Sequence, residues 1–279
     1  MRGIKDENKR IAELYIEWKS TKKPKKDKDG HIMTDAKDKI LYEYDGFFKF
    51  YDKDKGEDVK IPYPFRFIPL EALVTIKGYN EGLKTGVYSN EVKWSGKEPL
   101  TVKTFKGGLS AIGLYKDIKA EIDTMGGKFA NSVYIGYKID GKLVICNIQI
   151  HGAALSPFIE YGKEHKNLTQ KGAMQVKTFA LETKGDNTFT YPVFEELEIT
   201  PETELEAEML GCTLKDYLDE YFKKNLGGDA IEVGKKEVEK QRMQPNANVE
   251  DDGRPPFDIN DIPEETKVEE RPDDFDLPF

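Results

Sequence analysis

A mainly β fold with flanking helices (α+β) is predicted by three features of this chain. Short runs rich in Phe, Tyr, Val and Ile recur between residues 40 and 194, punctuated by Gly, Asp and Ser. Asp140-Gly141 stands between two segments of alternating apolar and polar residues, a strong short-range signal for a hairpin. Helical periodicity is confined to a few stretches.

Ile11, Leu14, Tyr15 and Trp18 stand at i, i+3, i+4 and i+7, which predicts an amphipathic helix over residues 5–19. A basic loop follows, with Lys22, Lys23, Lys25, Lys26 and Lys28 inside seven residues, a composition suited to solvent or to phosphate. From Ile40 the texture turns to β over 41–44, 47–51, 59–62, 63–68, 72–78, 86–94 and 99–105. Ile112, Tyr115, Ile118 and Ile122 recur at helical spacing between two Gly-Gly pairs, which predicts a helix over about 110–124. Val133, Ile135 and Ile139 then alternate with polar positions, and 143–151 returns beyond the Asp140-Gly141 turn. Ser156-Pro157 reads as the start of a short helix, and strands are expected at 174–182 and 188–194 around Gly185-Asp186-Asn187. Thr200 and Thr213 read as two helix caps, the second helix carrying Leu214, Tyr217, Leu218, Tyr221 and Phe222 as an apolar stripe and ending at Gly227-Gly228. A frayed charged helix over 235–242 is the last expected element.

Strands, a helix between Phe105 and Phe129, and then a strand hairpin follow the order of an OB fold, a five-stranded, partly open Greek-key barrel. An OB-fold-like barrel with extra strands is therefore the expected body, a general β-sandwich being the other arrangement so many strands allow. The regions are an N-terminal helix and basic loop (1–30), the OB-fold-like body (31–199), helices docked on the body or on a partner (200–240), and a disordered acidic tail (241–279). The Pro, Asp, Asn and Glu of that tail supply too little apolar area to offset the entropy of ordering.

At 279 residues, 38% hydrophobic and 34% charged, the composition suits one core of about 200–230 residues plus a tail. The first ten residues are charged and lack the apolar stretch of a secretory signal, and no run approaches the ~18 apolar residues of a membrane span. A cytoplasmic protein with no membrane contact is expected. Two cysteines, Cys146 and Cys212, fit free thiols in a reducing compartment. The net charge of −9 hides a division: residues 1–190 carry 33 Lys+Arg against 26 Asp+Glu, a net of +7, and residues 191–279 carry 10 against 26, a net of −16. A basic body on an acidic end suits either a solvated body with an acidic solubilising tail or a polyanion partner whose site the tail contests.

Catalysis finds little support. There is no H-E-x-x-H pair, no Walker loop and no G-x-S-x-G elbow. Cys146, His151 and His165 lack the spacing of a zinc set, so no metal and no cofactor are expected. Binding of single strands asks for cations that follow the backbone and rings that stack on bases, each ring contributing roughly 1–3 kcal/mol. The body interleaves these residue types: Phe65-Arg66-Phe67; Lys93-Trp94 with Lys97; Lys103, Phe105 and Lys106; Lys128-Phe129; and Tyr134, Tyr137 and Lys138. If Val133, Ile135 and Ile139 face inward, Tyr134 and Lys138 share the outer face with Gly136 between them, leaving room for a base. Trp94, beside two lysines and ahead of Ser95-Gly96, is the leading loop candidate.

The chain closes on Asp273, Asp274, Phe275, Asp276, Leu277, Pro278 and Phe279, behind a stretch with Pro255-Pro256-Phe257-Asp258-Ile259-Asn260-Asp261. This end resembles the acidic tip of bacterial and phage single-stranded DNA-binding proteins, in which aspartates lead into an aliphatic residue, Pro and Phe. Phe275 interrupts the aspartate run usual in that family, which points to a phage-type version. The resemblance implies a non-catalytic protein that coats and protects single-stranded DNA in replication, recombination and repair. It further implies that residues 273–279 recruit polymerase-, primase- or helicase-type partners, Phe279 filling a pocket and the aspartates steering the encounter. A homo-oligomer is compatible with all of this. Two rivals stay open: a replication adaptor whose body binds protein rather than DNA, and a metal-dependent nuclease.

Overall fold

Asp140 and Gly141 both adopt positive φ (50° and 81°), the backbone that a two-residue turn between twisted strands requires. They join β8 (Gly127–Ile139) to β9 (Lys142–His151), which pair antiparallel from Ile139–Lys142 to Ala130–His151. Around this hairpin the computed structural model, which describes residues 10–106, 108–165 and 172–225, builds a mainly β protein. The remaining strands are β1 (Tyr15–Pro24), β2 (Tyr42–Asp52), β3 (Glu57–Lys60), β4 (Phe65–Asn80), β5 (Thr85–Ser89), β6 (Leu100–Thr104), β7 (Gly108–Gly113), β10 (Ala173–Lys184) and β11 (Asn187–Leu197). The helices are α1 (Tyr115–Thr124), α2 (Leu155–Glu164) and α3 (Pro201–Asn225).

The strands form one open, mixed sheet in the order β3-β2-β1-β9-β8-β4-β5-β6-β7. Among the described residues only the β1–β9 contact is parallel. β10 pairs with the start of β4 and with β11, and side chains tie this hairpin back to the β1–β2 pair. Trp18 Nε1 donates to the Thr190 carbonyl at 3.1 Å, and the Thr190 N–H donates to Ser20 Oγ at 3.1 Å.

One face of the sheet is apolar. Ile16, Trp18, Phe48, Val133, Ile135, Ile148 and Ile150 pack there with α2 and with Met174, Val176 and Phe194. A second cluster on that face, Val74, Ile76, Val87, Leu100 and Val102, is covered by Ile118 and Ile122 of α1. A bulge in β4 between Pro69 and Glu71 switches the inward side chains from Phe65 and Phe67 to Ala72, Val74 and Ile76.

Several expectations are corrected. Residues 15–19, read as helix, are β1: alternation drives Ile16 and Trp18 into the core, and the edges of β2 and β9 satisfy the backbone. The basic run is the far end of β1 and a hairpin rather than a loop, since Lys22 and Lys23 pair with Tyr44 and Glu43, and Lys26 bridges to Ile32. The helix expected from residue 110 starts at Tyr115, and its first positions belong to β7. Ser156 lies inside α2 instead of capping it, because a 3-10 turn at Gly152–Ala154 leads the chain in. Thr200 does cap α3, accepting the Thr203 N–H at 3.3 Å, but Thr213 starts no second helix. Its hydroxyl donates to the Met209 carbonyl within one continuous helix. Both cysteines are free thiols. The helix end at Gly227-Gly228, the segment 235–242 and the tail 241–279 with its tip lie outside the described residues. Among the described residues no helix is long and apolar enough to cross a membrane.

Candidate nucleic-acid interface

The other face of the sheet is divided. Strand register puts Ile68, Leu73, Tyr134, Leu143 and Ile145 on it, and α3 covers these with Ala207, Leu214 and Leu218. Beyond the helix the same face continues uncovered by α3 across the later part of β4, then β5 and β6.

There four residues stand directly opposite one another on four successive strands: Lys128 on β8, Lys77 on β4, Tyr88 on β5 and Lys103 on β6. At the usual strand spacing this row is roughly 14 Å long. Tyr88 stacks on Phe105, their centroids 4.6 Å apart and their planes 28° from parallel. Both rings are more than a third exposed. Gly86 makes this possible, because a Cβ there would sit 2.8 Å from the Phe105 ring. A stacked aromatic pair beside the exposed Lys103 and Lys128, with Lys77 between them held by Glu17, is a combination suited to holding bases by their faces and the backbone by its phosphates.

A polar seam separates the covered half from the open half. Glu91 takes hydrogen bonds from Ser132 Oγ and, at 2.8 Å, from the Tyr134 hydroxyl; its own N–H donates to Tyr221 of α3 at 2.7 Å. Asn147 and Gln149 extend the network through Ser132. Burial pushes the Glu91 carboxyl up, against the lowering effect of the Ser132 and Tyr134 hydroxyls. Toward the open half, Glu17 on β1 is bonded by Lys77 at 2.8 Å and paired with Lys49 at 3.3 Å. Burial would raise its pKa, but Lys77, then Lys49 and His151, outweigh it and bring the carboxyl down to about 2. His151, beside this pair, is pushed down to about 4 by burial and by Lys77, opposed by Glu17, so it is neutral at pH 7.

The residues singled out from sequence fall into three groups. Phe65, Phe67 and Tyr134 are buried and are corrected to packing roles: the two Phe rings pack in the core at a tilt of 33° with centroids 4.9 Å apart, and Tyr134 lies under α3. The space for a base between Tyr134 and Lys138 does not exist, since a helix covers Tyr134 and the Leu143 side chain fills the ground over Gly136. Phe129 and Tyr137 are half-buried against the core clusters, Tyr137 edge-on to Phe65. Arg66, Lys93, Trp94, Lys97, Lys103, Phe105, Lys106, Lys128 and Lys138 are exposed.

Of these, Lys103, Phe105 and Lys128 share the row and its neighbourhood. Lys138, ten residues along the same strand from Lys128 and hence about 34 Å away, does not. Arg66 sits across from Gln175 of β10, outside the row. Trp94 is 46% exposed on a separate turn, with the Lys97 ammonium 3.8 Å above its ring, while Lys93 lies over Phe222 of α3. Cys146 and His151 point to opposite faces of β9, so the metal set considered from sequence does not converge. Sequence reasoning missed Tyr88 and Lys77. The spacing Gly86-Val87-Tyr88 was the available signal, a ring and a vacant Cβ position on one side of a strand.

Comparison with protein-family models, with curated proteins and with solved structures finds no match.

Proposed function

We propose that this protein binds single-stranded DNA along the Lys128–Lys77–Tyr88–Lys103 row and recruits replication or recombination proteins through residues 273–279. It does so without catalysis. The observation that carries the reading is the exposed Tyr88–Phe105 stack set in register among lysines. Lys106 adjoins Phe105 in the chain, and Trp94, with the Lys97 ammonium over its ring, is a further exposed ring on a separate turn.

An OB-like body agrees with this reading. The meander β4-β5-β6, then α1, then the hairpin β8-β9 keep the order of that fold, and the long first strand β4 pairs with both β5 and β8. Here the far edge of β9 is taken by β1, so the comparison is with an OB core opened and extended by N-terminal strands. The tip rests on its resemblance to the acidic ends of single-stranded DNA-binding proteins, and the −16 of residues 191–279 gives it the charge to compete for a basic row.

Electrophoretic titration with oligo-dT and with duplex of equal length, each at two salt concentrations, tests this. Salt-sensitive binding to oligo-dT with much weaker binding to duplex is expected. Deleting residues 245–279 should leave or raise the affinity for DNA while abolishing partner capture. Absence of oligo-dT binding at low salt, with and without the tail, overturns the reading.

A further inference from the structure

Two exposed apolar patches remain outside the row, and they carry opposite charge. The first is the arm beyond the core, residues 22–41. Lys25 sits at its centre, its N–H donating to the Leu41 carbonyl and its carbonyl accepting from the Met33 N–H. Bridges pair Lys26 with Ile32 and Thr34 with Ile40, so these four side chains share one face. Ile32 and Ile40 are 50% and 43% exposed. The arm holds seven lysines against four aspartates. Two of those aspartates, Asp27 and Asp35, are engaged in accepting backbone N–H groups of their own turns, and all seven lysines are exposed.

The second patch is the first half of α3. Leu205 and Met209, one turn apart, are 60% and 65% exposed. Between Pro201 and Thr213 the helix carries four glutamates and no Lys or Arg. Apolar pairs exposed to this degree beside an excess of one charge are characteristic of contact surfaces.

Within one molecule the two patches lie apart. The first half of α3 packs beside Leu143, at the start of β9, whereas β1 runs parallel to β9 and carries the arm beyond its end. Six residues of β9 and seven of β1 separate them by about 40 Å along the strands.

We propose that the arm of one copy docks on the first half of α3 of a second copy, Ile32 and Ile40 against Leu205 and Met209, with arm lysines facing Glu202, Glu206 and Glu208. Each copy carries both halves of the contact, so it either closes reciprocally in a pair or repeats from copy to copy. Nucleic acid plays no part in it, and the contact stands or falls independently of the DNA-binding reading.

Sedimentation velocity of the full-length chain over a concentration series at low salt tests this. The wild type should sediment faster as concentration rises and lose that behaviour at high salt, because the charges are exposed. The variants K26E/K28E and E206K/E208K should each weaken association at least tenfold. An equimolar mixture of the two should regain it, since a reversed arm then meets a reversed helix. This recovery also excludes misfolding as the cause of the single losses. A wild type that stays monomeric, association that survives E206K/E208K, or a mixture that fails to recover would each overturn the proposal. Survival in E206K/E208K with loss in K26E/K28E would assign the arm to a different acidic segment.

Discussion

Tyr134 and Tyr88 lie on the same face of the same sheet, yet one is 3% exposed and the other 37%. What separates them is α3. Under the helix a tyrosine becomes part of the seam, its hydroxyl bound to Glu91 and its ring packed on Leu214 and Leu218. Beyond the helix a tyrosine among lysines stays more than a third exposed, its ring stacked on Phe105. One strand alternation thus yields a packing half and a candidate binding half, and the covering element decides which is which.

The boundary itself offers the largest expected effect. Glu17→Gln removes the carboxylate shared by Lys49 and Lys77, and should cost about 2–3 kcal/mol in urea unfolding, below the range for a fully buried pair. The stabilisation has a defined pH window. Because the folded carboxyl titrates near 2, below its ordinary 4.5, its contribution is fully present above 4.5 and is lost as pH falls through 2. Unfolding curves that coincide for wild type and variant would place no energy at this boundary.

Next comes His151. Its folded pKa of about 4 lies below the ordinary 6.5, so the unfolded chain binds the extra proton between those values. Stability should therefore fall by about 2 kcal/mol as pH drops from 6.5 to 4, and His151→Phe should flatten that part of the profile. A profile equally steep in the variant would assign the loss to other groups. The smallest effect belongs to the covered half: Tyr134→Phe withdraws a donor from buried Glu91 and should cost about 1–2 kcal/mol, with oligo-dT affinity unchanged. A loss of affinity without a loss of stability there would erase the distinction between the two tyrosines.

What the sequence made legible was whatever is specified locally. Asp140-Gly141 announces its hairpin because the turn demands positive φ at both residues, and strand alternation marks Val133 and Ile135 as inward. Residues 15–19 were misleading because Ile11, Leu14, Tyr15 and Trp18 fit a helical stripe, while the decisive partners, Phe50 of β2 and Ile148 of β9, are remote in the chain. The candidate site was only partly legible for a similar reason. Phe105 and Lys103 attract notice as a basic-aromatic run, but their meeting with Tyr88 and Lys77 depends on the register of three strands. Tyr134 looked like a surface ring because nothing near it reveals that Leu214 and Leu218 will cover it.

The central claim is that the open half of this face holds single strands through the Tyr88–Phe105 stack. The most direct test is fluorescence anisotropy of labelled oligo-dT titrated with wild type and with the Tyr88→Ala/Phe105→Ala double variant at one low salt concentration, with thermal melting to confirm the fold. Two stacking rings at roughly 1–3 kcal/mol each correspond to a loss of affinity of at least about thirtyfold with little change in melting temperature. Equal affinity in a folded double variant would contradict the account.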